Sequence, residues 1–83
     1  MLTDFIAFIA KHLVEHPEEV QVTCSNDEKA DTYTLTVPKE DLGRIIGKKG
    51  HTIKAMRALA NAVSARHGKR CSITVKGLSE PDE

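Results

Sequence analysis

Between residues 42 and 53 the chain reads Leu42-Gly43-Arg44-Ile45-Ile46-Gly47-Lys48-Lys49-Gly50-His51-Thr52-Ile53, with three glycines inside eight positions. Each glycine costs a helix interior roughly 1 kcal/mol relative to alanine, so the apolar residues on the two sides cannot belong to one continuous rod. The chain must bend at Gly47-Lys48-Lys49-Gly50, a two-residue cationic loop bounded by glycines, with a helix on each side. Glycine opens backbone geometries closed to residues with a Cβ and lets another strand approach the main chain. The helix beyond it presents unpaired N–H groups and its positive dipole end. The loop is therefore built to meet a phosphate, and Lys48 and Lys49 add two mobile charges there.

The rest of the chain supplies a frame for this loop. Leu2, Phe5, Ile6, Ile9 and Leu13 recur at helical spacing and predict a helix over 2–15, ended by Pro17; Phe8 lies off that stripe. Val20, Val22 and Cys24 alternate through 19–25, and Tyr33, Leu35 and Val37 alternate through 32–37 with threonines between them. These are two strands of a hairpin across the polar run 25–29. Pro38 suits the first turn of a short helix over 38–46, with Glu40 and Asp41 near its positive end. A long helix over 51–67 is expected to bury Ile53, Met56, Leu59, Ala60 and Val63, with Gly68 as its terminating residue. Cys71, Ile73 and Val75 make a third strand. The order α-β-β-α-α-β gives an α+β fold, a three-stranded sheet with three helices on one face.

With 83 residues and only Phe5, Phe8 and Tyr33 as aromatics, one aliphatic core and one domain are expected, over 1–77. The acidic stretch 78–83 is expected to be a flexible tail. The longest apolar stretch, 5–10, falls far short of the ~20 residues that span a bilayer, and it lacks the basic n-region and small-residue cleavage site of a signal peptide. The chain is expected to stay in the cytoplasm where it is made. Cys24 and Cys71 both sit in β-prone sequence and read as small hydrophobes in a reducing compartment, not as a disulfide.

Zero formal net charge hides a polarised chain. Residues 1–41 carry nine acids against three bases, whereas residues 42–76 carry nine bases and no acid. Such a span attracts polyanions by steering and counterion release. It also contains no Phe, Tyr or Trp, so binding led by base-on-ring stacking is not expected there and an aliphatic groove remains.

The string from Ile45-Ile46-Gly47 through Gly50 to Ile53 resembles the glycine-loop signature of the KH family, with Arg44 where the first apolar residue of that signature would stand. The element order resembles the type II arrangement. The leading helix ending in His16-Pro17-Glu18-Glu19-Val20, the run Ile53-Lys54-Ala55-Met56-Arg57 and Gly68-Lys69-Arg70 extend the resemblance to the small stand-alone bacterial KH proteins, over about residues 2–76. The resemblance implies a KH core at about 32–76 that binds about four single-stranded nucleotides. By position, Gly47, Lys48, Lys49 and Gly50 would hold phosphates. Gly43, Arg44, Ile45, Ile46 and Ile53 would flank or floor the groove, and His51, Lys54 and Arg57 would reach the same strand. Ile46 and Ile53 also read as packing residues. It further implies a binding protein rather than an enzyme, with no cofactor. Self-association, or pairing with a larger KH-containing partner, is implied too. So is post-transcriptional control, including RNA-chaperone action, linked to cell shape and cell wall.

Other features stay open between two readings. Ala55, Ala58, Ala62 and Ala65 form a stripe of small residues where a neighbouring helix can approach closely, and alanine is also simply the best helix former. Arg66, Lys69 and Arg70 either touch nucleic acid or complement the helix C-terminus. His12-Leu13-Val14-Glu15-His16 matches a zinc-peptidase string, but a chain this short offers neither a third ligand nor a walled cleft, so the histidines read as helix-end residues. The function reduces to an RNA-binding module or, alternatively, a protein-interaction adaptor that assembles through its helical faces. Whether single-stranded DNA substitutes for RNA stays open, because both carry the same phosphates.

Overall fold

The apolar stripe of the first segment winds into α1 (Leu2–Leu13), which buries Ile6 and Ala10 and ends two residues earlier than expected, ahead of a 3-10 turn at Pro17–Glu19. The computed structural model describes residues 2–78. Strands β1 (Gln21–Asn26) and β2 (Ala30–Val37) pair antiparallel, Val22 opposite Leu35 and Cys24 opposite Tyr33. A 3-10 turn at Lys39–Asp41 leads into the short α2 (Leu42–Ile46), and α3 (His51–Ala65) follows the glycine loop. Strand β3 (Arg70–Gly77) pairs parallel with β2, so the sheet order is β1-β2-β3. Parallel pairing needs a long crossover, and α2 with α3 is that crossover.

All three helices contribute to one core. Ile6 and Ala10 of α1, Tyr33, Leu35 and Val37 of β2, Ile45 of α2, Ile53, Met56 and Ala60 of α3, and Cys71 and Ile73 of β3 are buried together. The other face of the sheet carries hydroxyls in cross-strand register: Thr23, Thr34 and Thr74 in one row, Ser25, Thr32 and Ser72 in the next. Gly68, at φ 74°, ends α3 as expected, with the Lys69 amide donating back to the Ser64 carbonyl over 3.1 Å.

Two expectations about burial fail. The core face of α3 is Ile53, Met56, Ala60 and Ser64, while Leu59 is 53% and Val63 45% exposed. The rotation has a visible cause on the opposite flank of the helix. The Arg57 guanidinium donates from Nε and Nη2 to the Ile73 carbonyl at 3.2 and 3.0 Å, and the Asn61 carbonyl oxygen accepts the Cys71 amide at 3.1 Å. These bonds tie α3 to the outer edge of β3 and turn Leu59 and Val63 towards solvent. Cys24 is exposed on the edge strand, whereas Cys71 is buried, and burial pushes the Cys71 thiol up. Only Cys71 behaves as the core hydrophobe the sequence suggested.

Candidate nucleic-acid interface

The bend at the glycines is tighter than a simple hinge. The Gly47 amide closes α2 on the Gly43 carbonyl at 2.9 Å, and the Gly50 amide bonds the Gly47 carbonyl at 3.0 Å. Between them the backbone runs through three positive-φ residues: Gly47 (φ 79°, ψ 171°), Lys49 (φ 57°, ψ 23°) and Gly50 (φ 76°, ψ 12°). Gly47 lies in a region essentially closed to other residues. A Cβ there would overlap the Thr52 hydroxyl and sit 2.6 Å from Thr52 Cβ and 2.9 Å from the Thr52 amide nitrogen. That close approach packs the loop against the first turn of α3, whose start has no side-chain cap. The His51 amide bonds the Lys48 carbonyl, and the N–H groups that follow it open the positive end of α3 beside the loop.

Lys48 and Lys49 are exposed on this loop, and His51 and Lys54 follow them on α3. Among the described residues, Lys48, Lys49 and Lys54 form no ion pair. Their charge is uncompensated where the backbone is most open. Gly43 is exposed with nothing within 4 Å of its Cβ position, and Ile46, at the end of α2, is 41% exposed and offers an aliphatic surface beside the loop. Ile45 and Ile53 are buried and hold α2 and α3 to the sheet. Arg57 lies on the β3 side of α3 with two donors already committed to the Ile73 carbonyl. The structure thus gathers Gly43, Ile46, Gly47, Lys48, Lys49, Gly50, His51 and Lys54 on one open surface, with Ile45 and Ile53 beneath it.

Arg44 is placed differently. Its Nη2 meets Glu15 Oε2 at 2.9 Å and its Nε meets Asp41 Oδ1 at 3.3 Å. Asp41, whose side chain is 1% exposed, also accepts the Glu15 amide at 3.2 Å and bonds His16 Nδ1 at 3.1 Å. Burial pushes the Asp41 carboxyl up, but the His16 bond and the backbone amides outweigh it and hold the group below the usual carboxylate range. The bond to Asp41 in turn holds His16 above its ordinary 6.5. Sequence reasoning missed Asp41 and Asn61 as structural partners. The only signals were the second of two acids just before the basic span and an asparagine one turn beyond Arg57.

The zinc-like string is dispersed by the same contacts. His12 Nδ1 bonds the Phe8 carbonyl oxygen at 2.8 Å with its ring against the exposed Phe8, and His16 faces Asp41. Among the described residues no cluster of three His, Cys, Asp or Glu could hold a metal ion, and no helix is long and apolar enough to cross a membrane. A cavity of about 730 Å³ lies away from the loop, between the start of α1 and the end of α3, lined in part by Leu2, Phe5, Tyr33, Val63 and Lys69. Sequence periodicity held no sign of it.

Comparison with known proteins agrees with this geometry. The family model described as KhpA/KhpB, KH domain matches residues 3–75. The RNA-binding protein KhpA of Chlamydia caviae is 43% identical over 74 residues, covering 89% of this chain and 95% of its own. The protein of the same name from Listeria monocytogenes is 40% identical over 74 residues, covering 89% and 97%. The family match over residues 3–75, with relatives at 40% identity or more across nearly their whole length, makes the chain a member of the KhpA/KhpB KH-domain family, whose members are binding modules and not enzymes.

Proposed function

We propose that this protein binds short single-stranded RNA, gripping the backbone at Gly47-Lys48-Lys49-Gly50 and laying the bases against the aliphatic surface that begins at Ile46. The observation that carries the reading is the pairing of two unneutralised lysines with a loop of positive-φ backbone beside an uncapped helix start. Phosphates passing that point meet charge, open main chain and a helix dipole together. The relatives named as RNA-binding proteins support the choice of ligand. His51 and Lys54 extend the contact along α3, and Arg57 offers its remaining donors at the β3 edge. Residues 1–77 act as one KH unit with its core at about 32–76. Titration of the labelled protein with a short oligoribonucleotide tests the proposal. Amides of residues 44–54 are expected to shift together, and a chain in which they stay put does not bind RNA this way.

One KH groove binds weakly, and linking two of them raises avidity without new contacts. The surface for this is the outer face of α3. Leu59 and Val63, exposed by the rotation of the helix, adjoin Ala55, Ala58 and Ala62, with Ala65 at the edge of the patch. This apolar face suits a second copy of the chain or a larger partner of the KhpB type, and the same exposure supports the adaptor reading. Leu59→Arg is expected to convert an associated species to a monomer in light scattering after gel filtration and to weaken RNA binding several-fold. An unchanged mass would place the interface elsewhere. The wider role follows from the resemblance to small bacterial KH proteins: a cytoplasmic post-transcriptional regulator with RNA-chaperone character, bearing on cell shape and cell-wall formation.

A further inference from the structure

The buried carboxylate of Asp41 gathers groups from two ends of the fold. Glu15 and His16, at the end of α1, meet Arg44, one turn ahead of Gly47 on α2. The charges balance in one protonation state only. With His16 protonated, two cations face the carboxylates of Asp41 and Glu15; with His16 neutral, the Arg44 guanidinium serves both. Removing Arg44 in that second state would leave a carboxylate buried without a cation, which is costly. Arg44 is itself 45% exposed on its side chain and lies on α2, three residues before Gly47.

We propose that His16 and Asp41 form a proton-linked latch on Arg44, with Asp41 as positioning residue: neutral His16 leaves the guanidinium held by the two carboxylates, and protonated His16 satisfies Asp41 and frees Arg44 for an RNA phosphate. This rests on the RNA-binding reading above. The groups facing His16 are Asp41 and Glu40 from the turn before α2 and Glu18 from its own stretch of chain, with Arg44 behind Asp41 and the Glu15 carboxylate turned to Arg44. Asp41, Glu40 and Glu18 all favour the charged ring. Because His16 is held above 6.5, the stabilisation from its protonated form is present below that value and is lost as pH rises through the higher folded value. Asp41 is held below its ordinary 3.8, so its contribution is lost only as pH falls through that lower value. Between about pH 5.5 and 8 only the histidine side of the pair titrates.

Anisotropy of a labelled short oligouridylate, at fixed ionic strength across that range, reads the latch. Wild-type affinity is expected to rise about three- to fivefold as pH falls, the size of one solvent-exposed ion pair. On a His51→Gln background, which removes the one histidine of the proposed contact surface, His16→Gln and Arg44→Gln should each reduce the gain to less than twofold, whereas His12→Gln, whose ring bonds the Phe8 carbonyl, should retain it. Glu15→Gln, an exposed change that loosens Arg44 without touching the core, should raise affinity at pH 8 towards the acid value; Glu18→Gln should not. Linkage is reciprocal, so saturating oligouridylate should also raise the His16 titration midpoint seen by NMR. A pH response that survives His16→Gln or Arg44→Gln on that background, or a His16 midpoint indifferent to RNA, overturns the latch. Wild-type binding with no pH response overturns it too while leaving the binding reading intact. No binding at any pH sinks that reading first.

Discussion

Lys48→Asp together with Lys49→Asp is expected to abolish RNA binding, a loss of at least about 100-fold, while the chain stays folded. Both lysines are exposed and without ion-pair partners among the described residues, so nothing in the core notices the change. Lys49 sits at φ 57°, the left-handed region where Asp and Asn are better tolerated than most residues, so the loop keeps its path. Two charge reversals at phosphate contacts remove two charge-assisted bonds of about 1.5 kcal/mol or more each and add repulsion. The milder pair Lys48→Gln and Lys49→Gln should flatten the dependence of log affinity on log salt by about 1.4, from 0.7 for each released counterion on a single strand. Filter binding at several salt concentrations, with a melting curve for each variant, gives both quantities. RNA affinity that survives the double Asp change with a native melt would move the site away from the glycine loop.

Gly47→Ala is expected to be the most damaging single substitution in the loop, at about 3 kcal/mol. The backbone position itself costs a non-glycine residue about 1–3 kcal/mol. The added methyl then meets Thr52, including an amide nitrogen at 2.9 Å in the first turn of α3. A main-chain neighbour cannot rotate away as the end of a side chain would. For a domain of this size the loss is worth more than about 10 °C in Tm. Gly50→Ala makes the contrast: its φ is 76°, but nothing lies within 4 Å of the new methyl, so the cost falls to the left-handed term of about 1–2 kcal/mol. Thermal unfolding followed by circular dichroism separates the two. Equal melts would mean that the close packing of Gly47 on α3 is not a feature of the molecule in solution.

The two glycines look alike in sequence and differ in what surrounds them, and the same division runs through the whole protein. Alternation and helical spacing are properties of contiguous residues, so they sufficed for six elements in order. The bounds moved by a few residues at the ends, as for α1, expected at 2–15 and found at Leu2–Leu13. The cationic loop was legible too, because glycine pairs and charge runs are local. Its backbone was not: the left-handed Lys49 carries no side-chain signature.

What required the tertiary structure was every property set by partners distant along the chain. The rotation of α3 is the clearest case. Neighbouring positions on a helix differ by about 100°, and a stripe containing Leu59 and Val63 fits the sequence as well as one containing Ala60 and Ser64. The choice came from Arg57 and Asn61 binding the edge of β3, which only the folded sheet brings within reach. Cys24 on β1 is exposed and Cys71 on β3, the opposite edge of the sheet, is buried, so coverage by the helices and not alternation decides between them. Asp41 read as a helix-start acid and became the buried centre of a charge cluster with residues 25 and 26 positions away. The sequence by itself determined the elements, their order and the charged loop, since those depend on near neighbours. Which faces are covered and which charges are already spoken for was decided by packing, because burial and pairing depend on groups that only folding brings together.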